Sequence, residues 1–144
     1  MPSTFEDFGA KFLYPDNWTI QARERDDQAE GVTLDLPGGG FFSVTRHFDQ
    51  GSPEQLLDQI ARSMKKEYPD IETDALAVSA EDDFFIEARF YYLDLLVTSR
   101  ITAIESGDDL IIVQCQAESR EFDRNEPVFG AILRSLKESL EAAD

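Results

Sequence analysis

The chain has 144 residues, 42% of them hydrophobic, and its 13 basic and 30 acidic residues give a formal net charge of -17 at pH 7. This length is typical of one domain, so we interpret residues 1–144 as a single domain with its own core. The charge disfavours nucleic acid and anionic lipid as partners, because both are negatively charged, and it is compatible with a basic protein partner.

The chain shows no features of export or membrane insertion. Its N-terminus, MPSTFEDFGAKF, lacks a cationic start followed by an apolar run. No stretch approaches the roughly 20 apolar residues that a membrane span needs. The lone cysteine, Cys115, cannot form an internal disulfide, which is typical of a reducing compartment. We therefore expect a cytoplasmic protein without a membrane span.

The first fifty residues predict short strands separated by turns. The glycine run at 38–40 is interpreted as a hairpin turn, because a strand follows it, whereas a phosphate-binding loop leads into a helix. The polar stretch from Arg23 to Glu30 is predicted as a loop or a strand end. The strands are predicted at Lys11–Tyr14, from Trp18 through Ala22, around Val32–Leu36 and at Phe41–Phe48.

A first helix is predicted to begin after Ser52. Ser52 is a good N-cap, and Pro53 suits the first helical position. The helix is predicted to end at Tyr68-Pro69, since a residue before proline is disfavoured in the α conformation. A strand from Ile71 to Ala80, with Ala75, Ala77 and Val78 facing inward, and a turn at Glu81-Asp82-Asp83 are predicted to follow.

The stretch from Phe84 to Ser119 predicts three consecutive antiparallel strands at the centre of a sheet. Ser106-Gly107-Asp108-Asp109 is a strong hairpin signal, whereas the turn near Leu93-Asp94 lacks glycine. Alternation along the strands assigns three sets of small or apolar residues to one common core. These sets are Ile86, Ala88, Phe90 and Tyr92; Val97, Ser99, Ile101 and Ala103; and Ile111, Val113, Cys115 and Ala117.

A second amphipathic helix is predicted near the C-terminus. A charged loop should follow Ser119, with either Asp123 or Asn125 as the N-cap and Pro127 in the first turn. The whole pattern predicts an α+β fold, in which an antiparallel sheet is flanked by two amphipathic helices as an α/β/α-type sandwich. The apolar face of the last helix carries Phe129, Ile132, Leu133, Leu136 and Leu140.

The chain contains few of the histidine and cysteine residues that usually form catalytic or metal-binding sites. One histidine, His47, and one cysteine cannot build an ordinary zinc site, and Cys115 is interpreted as a small buried hydrophobe. We therefore predict no catalytic, cofactor-binding or metal-binding residues. An enzyme that uses Tyr91 or Tyr92 with a buried carboxylate remains an alternative hypothesis.

Three pairs of adjacent aromatic residues are the clearest indication of a binding surface. These doublets are Phe41-Phe42, Phe84-Phe85 and Tyr91-Tyr92. In a strand, adjacent residues face opposite ways, so one member of each doublet leaves the principal core and lies either under a helix or in an exposed patch. We also expect that an exposed edge strand could support a homodimer. The predicted partner-binding residues are Phe41, Phe84, Arg89, Tyr91 and Arg100.

Two short motifs resemble a known family. The segment Phe12-Leu13-Tyr14-Pro15-Asp16-Asn17-Trp18 is similar to the F-x-Y-P-x-x-W opening of PsbP-like and DcrB-like domains. The segment from Phe129 through Leu136 resembles the F-x-x-I-L-x-S-L helix that closes those domains. The order of strands and helices between the motifs also fits. Relatives in this group include a Ran-binding import factor and adaptor chaperones of type VI secretion effectors.

The resemblance implies an antiparallel sheet sandwiched by helices, and it implies binding rather than catalysis, without cofactors. The predicted function is therefore a non-enzymatic, protein-binding accessory or adaptor domain, with a secretion-effector chaperone as its more specific form. The alternative is a carrier of a small molecule or lipid, with a pocket between the sheet and the helices.

Overall fold

The computed structural model describes residues 2–49, 51–79 and 82–143. Among these residues the chain forms ten strands and two helices. All pairings between the strands are antiparallel. In chain order the elements are β1 (Pro2–Asp7), β2 (Ala10–Pro15), β3 (Thr19–Arg25), β4 (Ala29–Asp35), β5 (Phe41–His47), α1 (Pro53–Glu67), β6 (Glu72–Thr73), β7 (Ala77–Val78), β8 (Phe84–Tyr92), β9 (Leu95–Ser106), β10 (Asp109–Glu118) and α2 (Ser119–Ala143).

The main sheet separates two helical layers. Its strand order is β3-β4-β5-β10-β9-β8-β6, with β7 also paired to β8, while β1 and β2 form a separate hairpin. Helix α1 packs on β8, β9 and the start of β10, and α2 packs on the opposite face together with the β1–β2 hairpin. The predicted α+β architecture is therefore confirmed.

Several local predictions are confirmed by the backbone. Helix α1 begins where expected, because the Ser52 hydroxyl accepts a hydrogen bond of 3.3 Å from the Gln55 N–H. The helix ends at Glu67, with Tyr68 as its C-cap, next to the predicted stop at Tyr68-Pro69. The glycine run forms the β4–β5 hairpin turn, with Gly39 and Gly40 at φ near +94° and +93°.

The prediction that one face of all three central strands shares a core is wrong. The β9–β10 turn pairs Ser106 with Asp109, so Ile111 lies opposite Ile104, and Ala103 lies opposite Ile112. The set that begins at Ile111 therefore faces α2, whereas Ile86, Ile101 and Ala103 on β8 and β9 face α1. Tyr92, which was predicted to be in the core, is 56% exposed. A shift of one residue in register exchanges the two faces of a strand, and alternation within β10 could not determine that register.

The predicted loop after Ser119 is also wrong, because α2 begins at Ser119. The Glu118 carboxylate accepts hydrogen bonds from the N–H groups of Arg120 and Glu121, and so caps the helix. Pro127 consequently lies inside the helix rather than in its first turn. Burial of Phe122 against the sheet explains why the charged stretch folds as a helix.

Two segments contain edge strands that differ from the predictions. The strand predicted at 71–80 is reduced to β6 and β7, and its residues Ala75 and Val78 are exposed rather than inward. Ala80 and Glu81 lie outside the described residues. Strand β1 was not predicted; it pairs with β2 through a turn at Phe8-Gly9. Short edge strands carry weak patterns, because one neighbour and little burial specify them.

Arg46 on β5 joins the first hairpin to the β9–β10 turn. Its guanidinium donates to the backbone oxygen of Phe8 at 2.7 Å and pairs with the Asp109 carboxylate at 2.9 Å. Asp109 also accepts a hydrogen bond from the Asp49 N–H. The Asp49 N–H, together with Arg46, holds the pKa of the Asp109 carboxyl below its usual range, against the opposing effect of burial.

We expect Asp109→Asn to lower the free energy of unfolding by roughly 1–2 kcal/mol at neutral pH. Because the folded-state pKa of Asp109 is depressed, its stabilisation is present above the unfolded-state pKa and is lost as the pH falls through the folded-state pKa. Urea unfolding of both proteins between about pH 7 and pH 3 should show the difference shrinking below about pH 4. A difference that is constant across this range would contradict the role of the Asp109 charge.

Candidate functional site

The tip of the β8–β9 hairpin is an exposed apolar surface. Its six consecutive residues, 91–96, are all exposed, and five of them are leucine or tyrosine. Leu93 is 80% exposed and Tyr91 is 73% exposed. Single exposed hydrophobes are ordinary on protein surfaces, whereas contiguous ones mark interaction sites. The hairpin tip, defined here as Tyr91, Tyr92, Leu93, Asp94, Leu95 and Leu96, is therefore the first candidate site.

The turn at this tip has an unusual sequence for its backbone geometry. Tyr92 pairs with Leu95, so Leu93 and Asp94 form a two-residue turn, with φ of +50° and +66°. A turn with two positive φ angles normally uses Asn-Gly or Gly-containing pairs. Leucine in this conformation costs about 1 kcal/mol or more, because its Cβ crowds the backbone. Phe8 in the β1–β2 turn also has a positive φ, of +38°, but Gly9 follows it, and the β9–β10 turn contains Gly107.

The tip extends beyond its neighbouring strands. The last pairing of β10 with β9 is Glu118 with Val97, and β6 pairs with β8 no further along than Arg89. Residues 91–92 and 95–96 therefore pair only with each other among the described residues, and they project roughly 7 Å past the sheet. Below the tip, the rings of Tyr68 and Phe90 stack with centroids 4.1 Å apart, so the base of the hairpin is packed against the end of α1. This arrangement presents apolar side chains on a supported projection.

Two predicted arginines lie on the α2-side face below the tip, and both are held by carboxylates. Arg89 pairs with Asp74 at 2.6 Å, and this hydrogen bond raises the pKa of Arg89 and lowers the pKa of Asp74. Arg100 pairs with Glu87 at 2.9 Å and with Glu126 at 2.8 Å. Burial opposes the charged form of Arg100, but the two carboxylates outweigh this effect and its pKa is raised. Both side chains thus have a structural role.

The five predicted partner-binding residues do not form one surface. Tyr91 lies on the hairpin tip, but Phe84, at the other end of β8, is roughly 23 Å away along the strand and is half-buried against α1. Phe41 lies on β5, which β10 and β9 separate from β8, opposite Gln116. Arg89 and Arg100 adjoin each other through Glu87.

Five residues of the tip were not among the predicted partner-binding residues: Tyr92, Leu93, Asp94, Leu95 and Leu96. The signal available in the sequence was the run YYLDLL, which places apolar residues on both sides of a predicted turn that lacks glycine. Exposure of that run depended on where β10 and β6 end. Those ends follow from strand pairing, which alternation within one strand does not specify.

A second apolar feature is a groove between the β1–β2 hairpin and α2. It has a volume of about 560 Å³ and is open to solvent. The position predicted for a carrier pocket, between the sheet and the helices, instead holds two smaller openings on the α2 side. They measure about 290 Å³ beside Lys137 and about 250 Å³ beside Leu133. The groove residues are Pro2, Leu13, Tyr14, Pro15, Asp16, Pro127, Val128, Ala131, Ile132 and Ser135.

The candidate chemical groups occupy structural positions. Cys115 is buried under α2, and burial raises the pKa of its thiol to about 12, which keeps it protonated. Burial also lowers the pKa of His47. Within residues 2–49, 51–79 and 82–143, no cluster of three or more His, Cys, Asp or Glu side chains has a metal-binding arrangement. Neither helix in these ranges is long and apolar enough to cross a bilayer.

Comparison with known proteins identifies the fold. No protein-family model matches the chain, and no curated protein matches it in sequence. Among solved structures, the cyanobacterial PsbP protein CyanoP from Synechocystis is 15% identical, with a TM-score of 0.59 over 93% of this chain and 90% of that one. PA94 from Pseudomonas aeruginosa is 14% identical, with a TM-score of 0.53 over 94% of this chain and 95% of that one. This chain therefore has the PsbP-like fold that its opening and closing motifs predicted.

Proposed function

We propose that this protein is a non-enzymatic protein-binding module that docks through the hairpin tip. The observation that carries the proposal is the run of six exposed residues at 91–96, five of which are leucine or tyrosine. Tyrosine and other aromatic side chains are enriched at protein interfaces, where they provide large contact areas. The tip holds such side chains on a short, supported turn.

The strained turn supports a role for the tip beyond folding. Leu93 is 80% exposed at a positive φ, so it adds little burial to the folded chain while it destabilises the turn. Full burial of one leucine against a partner stabilises a complex by about 1.5–3 kcal/mol, which exceeds the cost of about 1 kcal/mol in the turn. Residues that break a local rule in this way are expected at functional sites.

The chemistry of the tip favours a protein over a bilayer. Asp94 stands beside Leu93 at the turn and would have to enter the bilayer with it, which is costly for a carboxylate. The net charge of -17 also repels anionic lipid. A protein pocket can instead surround Leu93 and offer a cation or an N–H donor to Asp94. The proposed partner therefore has an apolar pocket with a basic or donor group at its floor.

An adaptor for a secretion effector is the more specific form of this proposal. It rests on the resemblance of the opening and closing motifs to domains that include such adaptors. A cytoplasmic location belongs to the same proposal and rests on the single, buried Cys115.

A double substitution separates folding from binding at the tip. We expect Leu93→Asn with Asp94→Gly to stabilise the protein by up to about 1 kcal/mol, because Asn-Gly suits a turn with two positive φ angles. The same variant should lose tip-dependent partners, because it removes the apex leucine and its carboxylate. Urea unfolding measures the first effect, and quantitative mass spectrometry of proteins captured by each immobilised chain from lysate of the source organism measures the second.

The matched control is Leu76→Asn, which removes an exposed leucine from the 74–76 segment beside β8 and leaves the tip intact. The proposal expects particular proteins to be captured by the natural chain and by Leu76→Asn but not by the double variant. If the double variant is folded and captures the same proteins in the same amounts, or if no captured protein depends on the tip, the proposal is wrong.

A further inference from the structure

The groove between the β1–β2 hairpin and α2 runs along the axis of the helix. Its helical wall uses Pro127, Val128, Ala131, Ile132 and Ser135, a set that recurs at intervals of about one turn. These residues span two turns, or roughly 12 Å of helix. The groove thus has the length and direction to accept another helix lying along α2.

Strand addition cannot fill this groove, because α2 already occupies the outer edge of β2. The Leu13 N–H donates to the Ser135 hydroxyl at 2.9 Å, and the Ser139 hydroxyl donates to the Lys11 carbonyl at 2.8 Å. A strand that added to β2 would need these same backbone groups. An occupant therefore has to contact the groove through its side chains.

The groove is apolar, and its charge favours a basic occupant. Of the described residues that line it, Asp16 is the one that carries a charge, and none is Lys or Arg. The chain as a whole carries a net charge of -17. A negatively charged protein attracts a cationic partner at long range, which raises the association rate, and it repels an anionic partner.

An acyl chain fits this groove less well than a helix does. Sites for small ligands usually enclose about 70–90% of the ligand surface. This groove is open to solvent, so a single acyl chain would leave much of its apolar surface in water. An amphipathic helix covers an open groove with one apolar stripe and keeps its other faces in solvent.

We propose that the groove binds an amphipathic helix with a leucine-type apolar stripe and flanking Lys or Arg residues. The apolar stripe packs against Leu13, Val128 and Ala131, and the basic flanks lie near Asp16, the charged residue of the groove lining. This site is built from β1, β2 and α2, whereas the hairpin tip is built from β8 and β9. The two surfaces can therefore be inactivated separately.

Fluorescence anisotropy with labelled helical peptides of about four turns tests the proposal. The probe is a Leu/Lys peptide with leucine at helical spacing. A Leu/Glu peptide keeps the apolar stripe and reverses the charge, and a Ser/Lys peptide keeps the charge without the stripe. We expect the Leu/Lys peptide to bind at least about tenfold more tightly than either of the others.

Ala131→Glu distinguishes groove binding from general attraction to an acidic protein. The substitution adds negative charge, so attraction alone predicts tighter binding, whereas a carboxylate in the apolar groove should weaken binding of the Leu/Lys peptide by about tenfold or more. The matched control is Ala75→Glu, which places the same change at an exposed position outside the groove. Circular dichroism and urea unfolding verify that both variants fold.

Equal binding of the Leu/Lys peptide by Ala131→Glu and the natural chain would overturn the proposal, as would equal binding of the Ser/Lys peptide. Binding of 11-(dansylamino)undecanoic acid that Ala131→Glu abolishes, without binding of the Leu/Lys peptide, would also overturn it in favour of a lipid carrier. The Leu93→Asn, Asp94→Gly variant should bind the Leu/Lys peptide normally. Failure at the groove is thereby distinguished from failure at the hairpin tip.

Discussion

Phe42→Ala is expected to lower the free energy of unfolding by about 3–5 kcal/mol. Phe42 is 0% exposed and lies at the centre of the aromatic cluster under α2. Its ring centroid is 6.0 Å from that of Phe12, 6.1 Å from that of Trp18 and 6.2 Å from that of Phe129. Removal of the ring leaves a cavity where the first hairpin, the sheet and α2 meet. Urea or guanidinium unfolding of the variant gives the change directly.

Phe41→Ala is the matched control for this prediction. Phe41 is adjacent in sequence but faces the other side of β5 and is only half-buried, so its removal should cost less than half as much. Similar losses for the two variants would contradict the assignment of Phe42 to the core and Phe41 to the opposite face. This comparison tests the face assignment with two identical substitutions.

Gly40→Ala should destabilise the protein by roughly 3 kcal/mol or more, the second large effect that we expect. Gly40 has φ near +93°, and an added Cβ would lie 2.4 Å from the carbonyl oxygen of Gln116 and 2.7 Å from the Cβ of Ala117. Both neighbours belong to β10, a central strand that cannot shift without disturbing its pairing with β5 and β9. Thermal and urea unfolding should both report the loss.

Gly39→Ala separates the steric clash from the backbone conformation. Gly39 has nearly the same φ, +94°, but an added Cβ there meets no other atom within 4 Å. We therefore expect a loss of about 1–2 kcal/mol for Gly39→Ala, from the positive φ alone. If the two variants lose equal stability, close approach of Gly40 to β10 makes no contribution.

These predictions place the stability of the fold and its proposed function in different parts of the molecule. The core around Phe42 and the turn at Gly40 follow ordinary rules, with large side chains buried and glycine where φ is positive. The hairpin tip departs from both rules, since Leu93 is exposed and has a positive φ. Substitutions at the tip are therefore expected to change binding without loss of stability. Substitutions in the core are expected to lower stability without changing the side chains of the tip.

Local patterns in the sequence were sufficient for most elements. Ser52 and Pro53 specified the start of α1, the alternation of Val32, Leu34 and Leu36 specified the buried face of β4, and Gly39-Gly40 specified a turn. The opening and closing motifs, between residues 12 and 136, also indicated the PsbP-like fold. Each of these signals acts over a few neighbouring residues, as do capping, pleating and the conformational freedom of glycine.

The tertiary structure alone decided which face of β10 meets α2, that α2 begins at Ser119, and that residues 91–96 extend past the sheet. Strand register depends on pairing with β9, the start of α2 depends on the burial of Phe122, and the exposure of Leu93 depends on where β10 and β6 end. These are contacts between residues distant in the chain, and no periodicity within a single segment encodes them. For that reason the sequence determined the fold, whereas the position of both candidate binding surfaces emerged only from the way its elements pack.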